Sequence, residues 1–161
     1  MIILLMGVSG SGKTTVGKLL ARELGWSFAD ADDFHSAANK AKMAAGHPLN
    51  DADRAPWLTA LRQHIEECLA SGKNVVIACS ALKASYRAQL RGNSDAIKWV
   101  HLHGSPELIR SRLASRSGHY MRAQMLDSQL ATLEPPKHAL TVDVAATPAE
   151  IVDQIRRALH L

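Results

Sequence analysis

The chain has 161 residues, of which 47% are hydrophobic and 21% charged, and its formal net charge is +4. This length suits one domain with its own core, and the composition is that of an ordinary globular protein. The basic residues are spread along the chain, which disfavours a nucleic-acid partner and fits small anionic substrates. No apolar run approaches the roughly 20 residues that cross a bilayer, so no membrane partner is expected.

The two cysteines, Cys68 and Cys79, have neither a paired nor a metal-ligand spacing. We interpret them as reduced thiols in packed structure, which fits a reducing compartment. Met1 leads directly into an apolar run, so no leader segment is expected and the predicted location is the cytoplasm.

The first predicted element is a buried strand over residues 2–6, a continuous apolar run. Residues 7–14 follow it and match every fixed position of the phosphate-binding pattern G-x-x-x-x-G-K-[ST]. A predicted helix comes next and ends at Gly25. This order predicts a loop whose backbone N–H groups hold the phosphates of a nucleoside triphosphate. The predicted nucleotide-binding residues of the loop are Gly7, Val8, Ser9, Gly10, Ser11, Gly12, Lys13, Thr14 and Thr15.

Two side chains of this loop have predicted chemical roles. Lys13 would reach the outer phosphates and act in catalysis, and the Thr14 hydroxyl would ligate Mg²⁺. The alternative is a glycine-rich turn without a ligand, which the flanking strand and helix disfavour.

The second predicted strand, residues 27–30, ends in acidic residues at the sheet edge where open α/β sheets bind ligands. Side chains two apart in a strand point to the same side, so Asp30 and Asp32 are expected to face one cleft. One would hold Mg²⁺ and the other would accept a proton from a substrate hydroxyl. Asp33 is interpreted as a turn residue that caps the next helix.

The remaining predicted elements alternate between helices and strands, which indicates a parallel sheet with helices on both faces. The fold predicted is therefore α/β, with a parallel five-stranded sheet, in one domain of residues 1–161. The third strand ends in Cys79-Ser80 rather than in aspartate, which favours a small kinase over a motor-type or switch-type ATPase. Ser105 and Thr147 are predicted helix N-caps. The other strands are predicted over 74–79, 97–102 and 141–144, and further helices over 36–45, around 57–69, over 83–91, and from 106 and 148.

A cluster of basic residues surrounds Gly118: Arg110, Arg112, Arg116, His119 and Arg122. A solvated helix face would explain them, since runs of charge are usually solvated. In a triphosphate-binding kinase, an arginine-bearing segment can instead close over the nucleotide and neutralise the transferring phosphoryl group. We favour the second interpretation and predict an arginine-bearing lid at about 116–127.

Three separated stretches carry a resemblance to a known family. The first stretch, 35–58, carries it through His35, Asn39, Lys42, Met43, Gly46, 48–51, Asp53-Arg54 and 56–58. The second, 79–87, carries it through 79–83 and Tyr86-Arg87. The third, 116–134, carries it through 116–120, 124–126, Gln129 and Leu133-Glu134. On these and the phosphate loop, nearly the whole chain resembles bacterial gluconokinases, a family of P-loop kinases that phosphorylate D-gluconate on its 6-hydroxyl with ATP.

The resemblance implies roles for individual residues. Asp32 would orient or deprotonate the sugar-acid hydroxyl, and Asp30 would lie near Mg²⁺. Arg54 would grip the carboxylate, because a guanidinium can bind both oxygens. Trp57 is expected to pack the substrate-side helix rather than stack on a ligand. The other implied residues are His35, Lys83, Arg87 and His119 for the substrate, Arg112 for the nucleotide and Arg116 as the catalytic arginine of the lid.

Two alternatives stay open beside ATP-dependent and Mg²⁺-dependent phosphorylation of D-gluconate. One is another small-molecule kinase of the same fold, such as a shikimate kinase or a nucleoside monophosphate kinase. The other is a nucleotide-dependent binding module without catalysis, which the loss of Lys13 or Asp32 would have favoured. The partners expected are D-gluconate and ATP, and a homodimer is compatible with the sequence.

Overall fold

The computed structural model describes residues 1–115 and 119–161, and for residues 119–123 it describes only the backbone. Its sheet has five parallel strands in the order β2-β3-β1-β4-β5. The central strand β1 is fully buried, as its apolar run predicts. The strands are β1 Ile2–Met6, β2 Ser27–Asp30, β3 Val75–Ala78, β4 Ile97–His103 and β5 Leu140–Asp143.

Helices cover both faces of this sheet. One apolar core joins Leu4 to Leu61 and Leu90, and the other joins Leu5 to Leu20 and Ile155. In the described residues, no helix combines the length and apolar character needed to cross a membrane. The helices are α1 Lys13–Leu24, α2 Ala37–Ala44, α3 Asp51–Ala70, α4 Ala84–Arg91, α5 Pro106–Ala114, α6 His119–Thr132 and α7 Pro148–Leu159, and a short 3₁₀ turn spans Ala31–Phe34.

The predicted five-stranded parallel sheet with helices on both faces is confirmed. Most predicted element ends are displaced by one or two residues, but α3 begins at Asp51, well before the predicted start near residue 57. The caps at Ser105 and Thr147 are confirmed too, since their side chains accept N–H bonds from the first turns of α5 and α7. The cap expected at Asp33 is wrong. Ser36 is the N-cap of α2 instead, because its hydroxyl accepts the N–H of Asn39 at 3.1 Å and satisfies an otherwise unpaired donor.

The loop between β1 and α1 depends on glycine. Gly7, Gly10 and Gly12 have φ values of 147°, 83° and 90°, which side chains disfavour. A Cβ on Gly7 would lie 2.7 Å from the carbonyl oxygen of Leu102 in β4. The loop can therefore curl against the sheet edge only because these positions lack side chains.

Candidate active site

The carboxyl ends of the strands border a cleft with two compartments. The first, the loop compartment, is a cavity of about 670 Å³ beside the glycine loop and the first turn of α1. The second, the side compartment, is a cavity of about 320 Å³ between α2, α3, α4 and α6. Four residues line both, so the compartments share a boundary: Asp32, Met43, Ser80 and Met125.

Lys13 is folded back across the loop. Its ammonium donates to the carbonyl oxygens of Gly7 at 2.9 Å and Val8 at 3.1 Å. Burial lowers the pKa of Lys13, and the negative charge of Asp32 partly opposes this shift. The ammonium is thus held at the loop by weak neutral acceptors, which phosphate oxygens can replace with stronger charge-assisted bonds.

The two predicted metal ligands lie together. The Thr14 hydroxyl donates to Oδ2 of Asp30 at 3.0 Å, and both residues line the loop compartment. Among the side chains that the structure describes, those of residues 1–115 and 124–161, no three His, Cys, Asp or Glu converge as a metal cluster. A hydroxyl beside a carboxylate nevertheless fits Mg²⁺, which takes few protein oxygens and completes its octahedron with water and phosphate.

Asp30 and Asp32 both line the loop compartment, but not through strand alternation. The strand β2 ends at Asp30, and Asp32 lies in the 3₁₀ turn that follows. Oδ1 of Asp30 accepts the N–H of Asp32 at 3.0 Å, which turns the chain there. The explanation from alternating side chains is therefore wrong, although its outcome, two carboxylates at one cleft, is confirmed.

Asp32 carries the carboxyl group best placed for proton transfer. Its side chain opens onto the cleft, yet the surrounding protein removes enough water to raise the pKa of Asp32. The charge of Asp30 raises this pKa further, and the Lys13 ammonium opposes the shift. A carboxylate with a raised pKa is a stronger base, and Asp32 lies at the boundary of the two compartments.

His35 and Trp57 form a wall of the side compartment. Burial lowers the pKa of His35, and the positive charge of Arg54 lowers it further, so the imidazole is neutral at pH 7. Nδ2 of Asn39 lies 3.4 Å from Nδ1 of His35 and can only donate, so Nδ1 accepts and the neutral ring keeps its proton on Nε2, which can donate to a ligand hydroxyl. Trp57 is 6% exposed and donates Nε1–H to the carbonyl oxygen of Ala31 at 2.7 Å, so its expected packing role is confirmed.

Arg54 supplies the cation of the side compartment. Its Nη1 donates to the Tyr86 hydroxyl at 3.2 Å, and this hydroxyl donates to a carboxylate oxygen of Asp51. Lys83 donates to the same Asp51 oxygen at 3.0 Å. The bonds from Tyr86 and Lys83 lower the pKa of Asp51. Lys83 thus lies at the rim, one contact away from the compartment, and Tyr86 fixes the orientation of Arg54.

Arg87 does not reach the cleft. Its guanidinium donates to the carbonyl oxygens of Ala81 at 2.8 Å, Leu82 at 3.0 Å and Glu134 at 2.8 Å. These bonds join the loop before α4 to the segment after α6, so the guanidinium is engaged with the backbone here, and the substrate-binding role of Arg87 stays a prediction. The sequence could not distinguish binding to backbone carbonyls from binding to a substrate, because every residue has a backbone carbonyl whatever its side chain.

The remaining predicted arginines contribute less to the described cleft. Arg112 donates to the carbonyl oxygen of Val144 at 2.5 Å, at the loop between β5 and α7, and lines neither compartment. Its nucleotide-binding role stays a prediction. Arg116, the side chain of His119 and the first part of the predicted lid lie outside the residues that the structure describes.

Sequence reasoning assigned no role to Tyr86 and Gln129, although both lie in the family-like stretches. Tyr86 is three residues after Lys83, which places both on one side of α4. Gln129 lines the side compartment and also contacts Ser9 of the glycine loop. Helical spacing from Met125 was the available signal for Gln129, but its contact with the loop spans 120 residues of sequence.

The arrangement supports one type of chemistry. A phosphate-binding loop with a lysine adjoins a carboxylate of raised pKa, and beyond that carboxylate lies a largely apolar compartment that contains an arginine. This is the set of groups that transfers a phosphoryl group to a hydroxyl of a small anionic acceptor.

Comparisons with known proteins agree with this geometry. Residues 2–136 match a family described as an AAA domain. A probable gluconokinase from Xenopus tropicalis is 47% identical over 173 residues, covering 96% of this chain and 91% of the relative. A gluconokinase from Gluconobacter oxydans is 51% identical over 134 residues, covering 83% of this chain and 75% of the relative. The crystal structure of a gluconokinase from Sinorhizobium meliloti superposes with a TM-score of 0.84 at 41% identity, covering 98% of this chain and 94% of that one.

Proposed function

This chain belongs to the gluconokinase family, and we propose that it transfers the terminal phosphoryl group of ATP to D-gluconate, giving 6-phospho-D-gluconate. The observation that carries the proposal is the position of Asp32. It lines the loop compartment, where the phosphates bind, and the side compartment, where the acceptor binds. A hydroxyl at that boundary is within reach of both a base and a phosphoryl group.

The loop compartment takes the nucleotide. Its backbone N–H groups and the Lys13 ammonium hold the phosphates, and Lys13 offsets the charge that develops during transfer. A bound Mg²⁺ would supply positive charge that offsets the charge of the phosphates. The Thr14 hydroxyl and the Asp30 carboxylate, 3.0 Å apart, would hold this ion together with the phosphates.

The side compartment takes the sugar acid. Arg54 binds the carboxylate of gluconate, and the bond from its Nη1 to Tyr86 fixes the direction of the guanidinium. The neutral His35 imidazole binds hydroxyl groups along the chain of the sugar acid. Asp32 accepts the proton of the attacking hydroxyl. The volume of about 320 Å³ suits a small ligand of this kind.

The two alternatives are not favoured. The side compartment has apolar walls that a nucleobase could use, but it also presents His35 and the Arg54 guanidinium, which match the hydroxyls and carboxylate of a sugar acid. A binding module without catalysis would need neither a base nor a transferring cation, and Asp32 and Lys13 are both present in the cleft. The relatives named above are, moreover, gluconokinases rather than shikimate kinases.

The test is a coupled assay of ADP release with Mg-ATP over a panel of acceptors. D-Gluconate should give a kcat/KM at least about a hundredfold above that of shikimate or a nucleoside monophosphate, since unmatched polar groups in the pocket penalise the wrong acceptor. D-Glucose, which has the hydroxyls without the carboxylate, shows how much the carboxylate contributes. Faster turnover of shikimate or of a nucleotide would overturn the proposal.

The predicted homodimer and the predicted cytoplasmic location stay predictions. The location is supported by Cys68 and Cys79, which are buried and unpaired with each other, as expected for a reducing compartment. Sedimentation at several protein concentrations measures the oligomeric state.

A further inference from the structure

One side chain of α6 is bonded to the phosphate loop at two points. Oε1 of Gln129 accepts the backbone N–H of Ser9 at 2.6 Å, and Nε2 of Gln129 donates to Oγ of Ser9 at 3.0 Å. The N–H of Ser9 can only donate, so it fixes the orientation of the amide, with Oε1 towards the loop and Nε2 towards the hydroxyl.

This orientation determines what the Ser9 hydroxyl can do. Because Oγ already accepts a bond from Nε2 of Gln129, its own proton remains available for another acceptor. Ser9 lines the loop compartment together with Gly10 and Lys13. The acceptors expected there are the phosphate oxygens of the nucleotide, so Gln129 leaves Ser9 prepared to donate to them.

Gln129 also belongs to the other compartment. Gln124, Met125, Ser128, Gln129 and Thr132 line the side compartment and lie on one face of α6. The opposite face packs into an apolar cluster through Leu126 and Leu130, which holds the helix in position. A ligand in the side compartment therefore packs against the same amide that orients Ser9.

We propose that Gln129 is a positioning residue that couples occupation of the side compartment to the arrangement of the phosphate loop at Ser9. The inference rests on the proposed function, because it takes the side compartment as the gluconate site. An acceptor packed against Gln129 restricts the motion of its side chain, so the two bonds to Ser9 are kept for more of the time and the Ser9 proton stays directed at the phosphates. Gluconate then strengthens nucleotide binding, and by linkage the nucleotide strengthens gluconate binding by the same factor.

Calorimetry with a non-hydrolysable ATP analogue, with and without saturating D-gluconate, measures this coupling directly. In the unaltered protein we expect gluconate to tighten analogue binding by about 5-fold or more. In Gln129→Ala, Gln129→Met and Ser9→Ala this factor should fall to about one. The coupling factor is the ratio of the analogue affinities with and without gluconate. A variant that weakens nucleotide binding equally in both conditions leaves this ratio unchanged, so a weakened loop alone does not abolish the coupling.

Two further variants separate the hydroxyl from the backbone contact. Gln129→Glu can still accept the Ser9 N–H, but its carboxylate cannot donate, so the Ser9 hydroxyl turns towards it and the coupling should be lost. Ser9→Thr keeps the hydroxyl and should keep the coupling. The double variant Ser9→Ala with Gln129→Ala should show the same coupling factor as either single variant, since each single variant already removes the same interaction.

Gln63→Ala is the matched control, because this exposed glutamine of α3 bonds only to Glu67 within the described residues. It should retain the coupling of the unaltered protein. Unchanged coupling in Gln129→Ala or Gln129→Met, with melting temperatures near that of the control, would overturn the inference. So would an unaltered protein that phosphorylates gluconate but binds the two ligands independently. An unaltered protein that does not phosphorylate gluconate would instead overturn the proposed function.

Discussion

His35 and Trp57 are stacked, with ring centroids 4.5 Å apart and planes inclined by 13°. Trp57 also donates to the carbonyl oxygen of Ala31 at 2.7 Å. Ala31 and His35 lie on either side of Asp32, so a single side chain of α3 holds both ends of the turn that carries the proposed base. The position of Asp32 therefore depends on the packing of α3 as well as on the end of β2.

Trp57→Phe tests this dependence. Phenylalanine keeps an aromatic ring against His35 but leaves the buried carbonyl of Ala31 without its donor. We expect the free energy of unfolding to fall by about 1–3 kcal/mol and kcat to fall because Asp32 is less well held. Urea denaturation and steady-state kinetics measure the two effects. Trp26→Phe, which alters the core on the opposite face of the sheet, should leave kcat unchanged.

Asp32→Asn removes the proposed base while keeping its shape. Turnover should fall by about 10²–10⁴-fold while gluconate still binds. Because the pKa of Asp32 is raised, kcat/KM of the unaltered enzyme should decline on the acid side at a pH above the ordinary value of 3.8. The negative charge of Asp33 contributes to this raised pKa. Asp33→Asn should therefore keep turnover and move the acid decline to slightly lower pH. A full rate in Asp32→Asn would remove the residue from the mechanism.

The same carboxylate should also cost stability at neutral pH. Its pKa is higher in the folded than in the unfolded chain, so the folded state binds the proton more tightly. The protonated group adds fully to stability at a pH below its pKa in the unfolded chain. This contribution is lost as the pH rises through its pKa in the folded protein. Asp32→Asn should therefore melt at a higher temperature than the unaltered protein at pH 7 and at a similar temperature below about pH 4. Equal melting temperatures at pH 7 would contradict the raised pKa.

Much of the fold and part of the site follow from the sequence. The strand, glycine loop and helix at residues 2–24 were predictable because local periodicity and the loop pattern act over short distances. The cleft position of Asp32 was also predicted, although a 3₁₀ turn rather than strand alternation places it there. Arg87 and Gln129 show where the prediction stops. Their partners are backbone groups at positions 81, 82 and 134 and the loop at Ser9, and such contacts depend on tertiary packing rather than on residue identity.

Arg54→Ala should affect substrate binding more than chemistry. A charge-assisted contact to a carboxylate contributes about 1.5–3 kcal/mol, so KM for gluconate should rise by about 10-fold to 150-fold with a smaller change in kcat. Arg54→Lys keeps the positive charge but loses the paired donors of the guanidinium, so its KM should lie between those of the unaltered enzyme and Arg54→Ala. Arg157→Ala, on the exposed surface of α7, is the control and should leave KM unchanged. A loss confined to kcat would assign Arg54 to the chemical step instead.

Lys13→Ala should separate activity from stability. The ammonium is removed from water, which lowers its pKa, and within the described residues it donates to the neutral carbonyls of Gly7 and Val8. The folded protein without nucleotide therefore gains little from this charge, and the melting temperature should not fall. Turnover should nevertheless fall by about a hundredfold or more, because the ammonium stabilises charge that develops only during transfer. Lys18→Ala, on the same helix but exposed, should keep full turnover. Full activity in Lys13→Ala would overturn the phosphate-loop mechanism, whereas a large loss of stability would mean that Lys13 has a structural role.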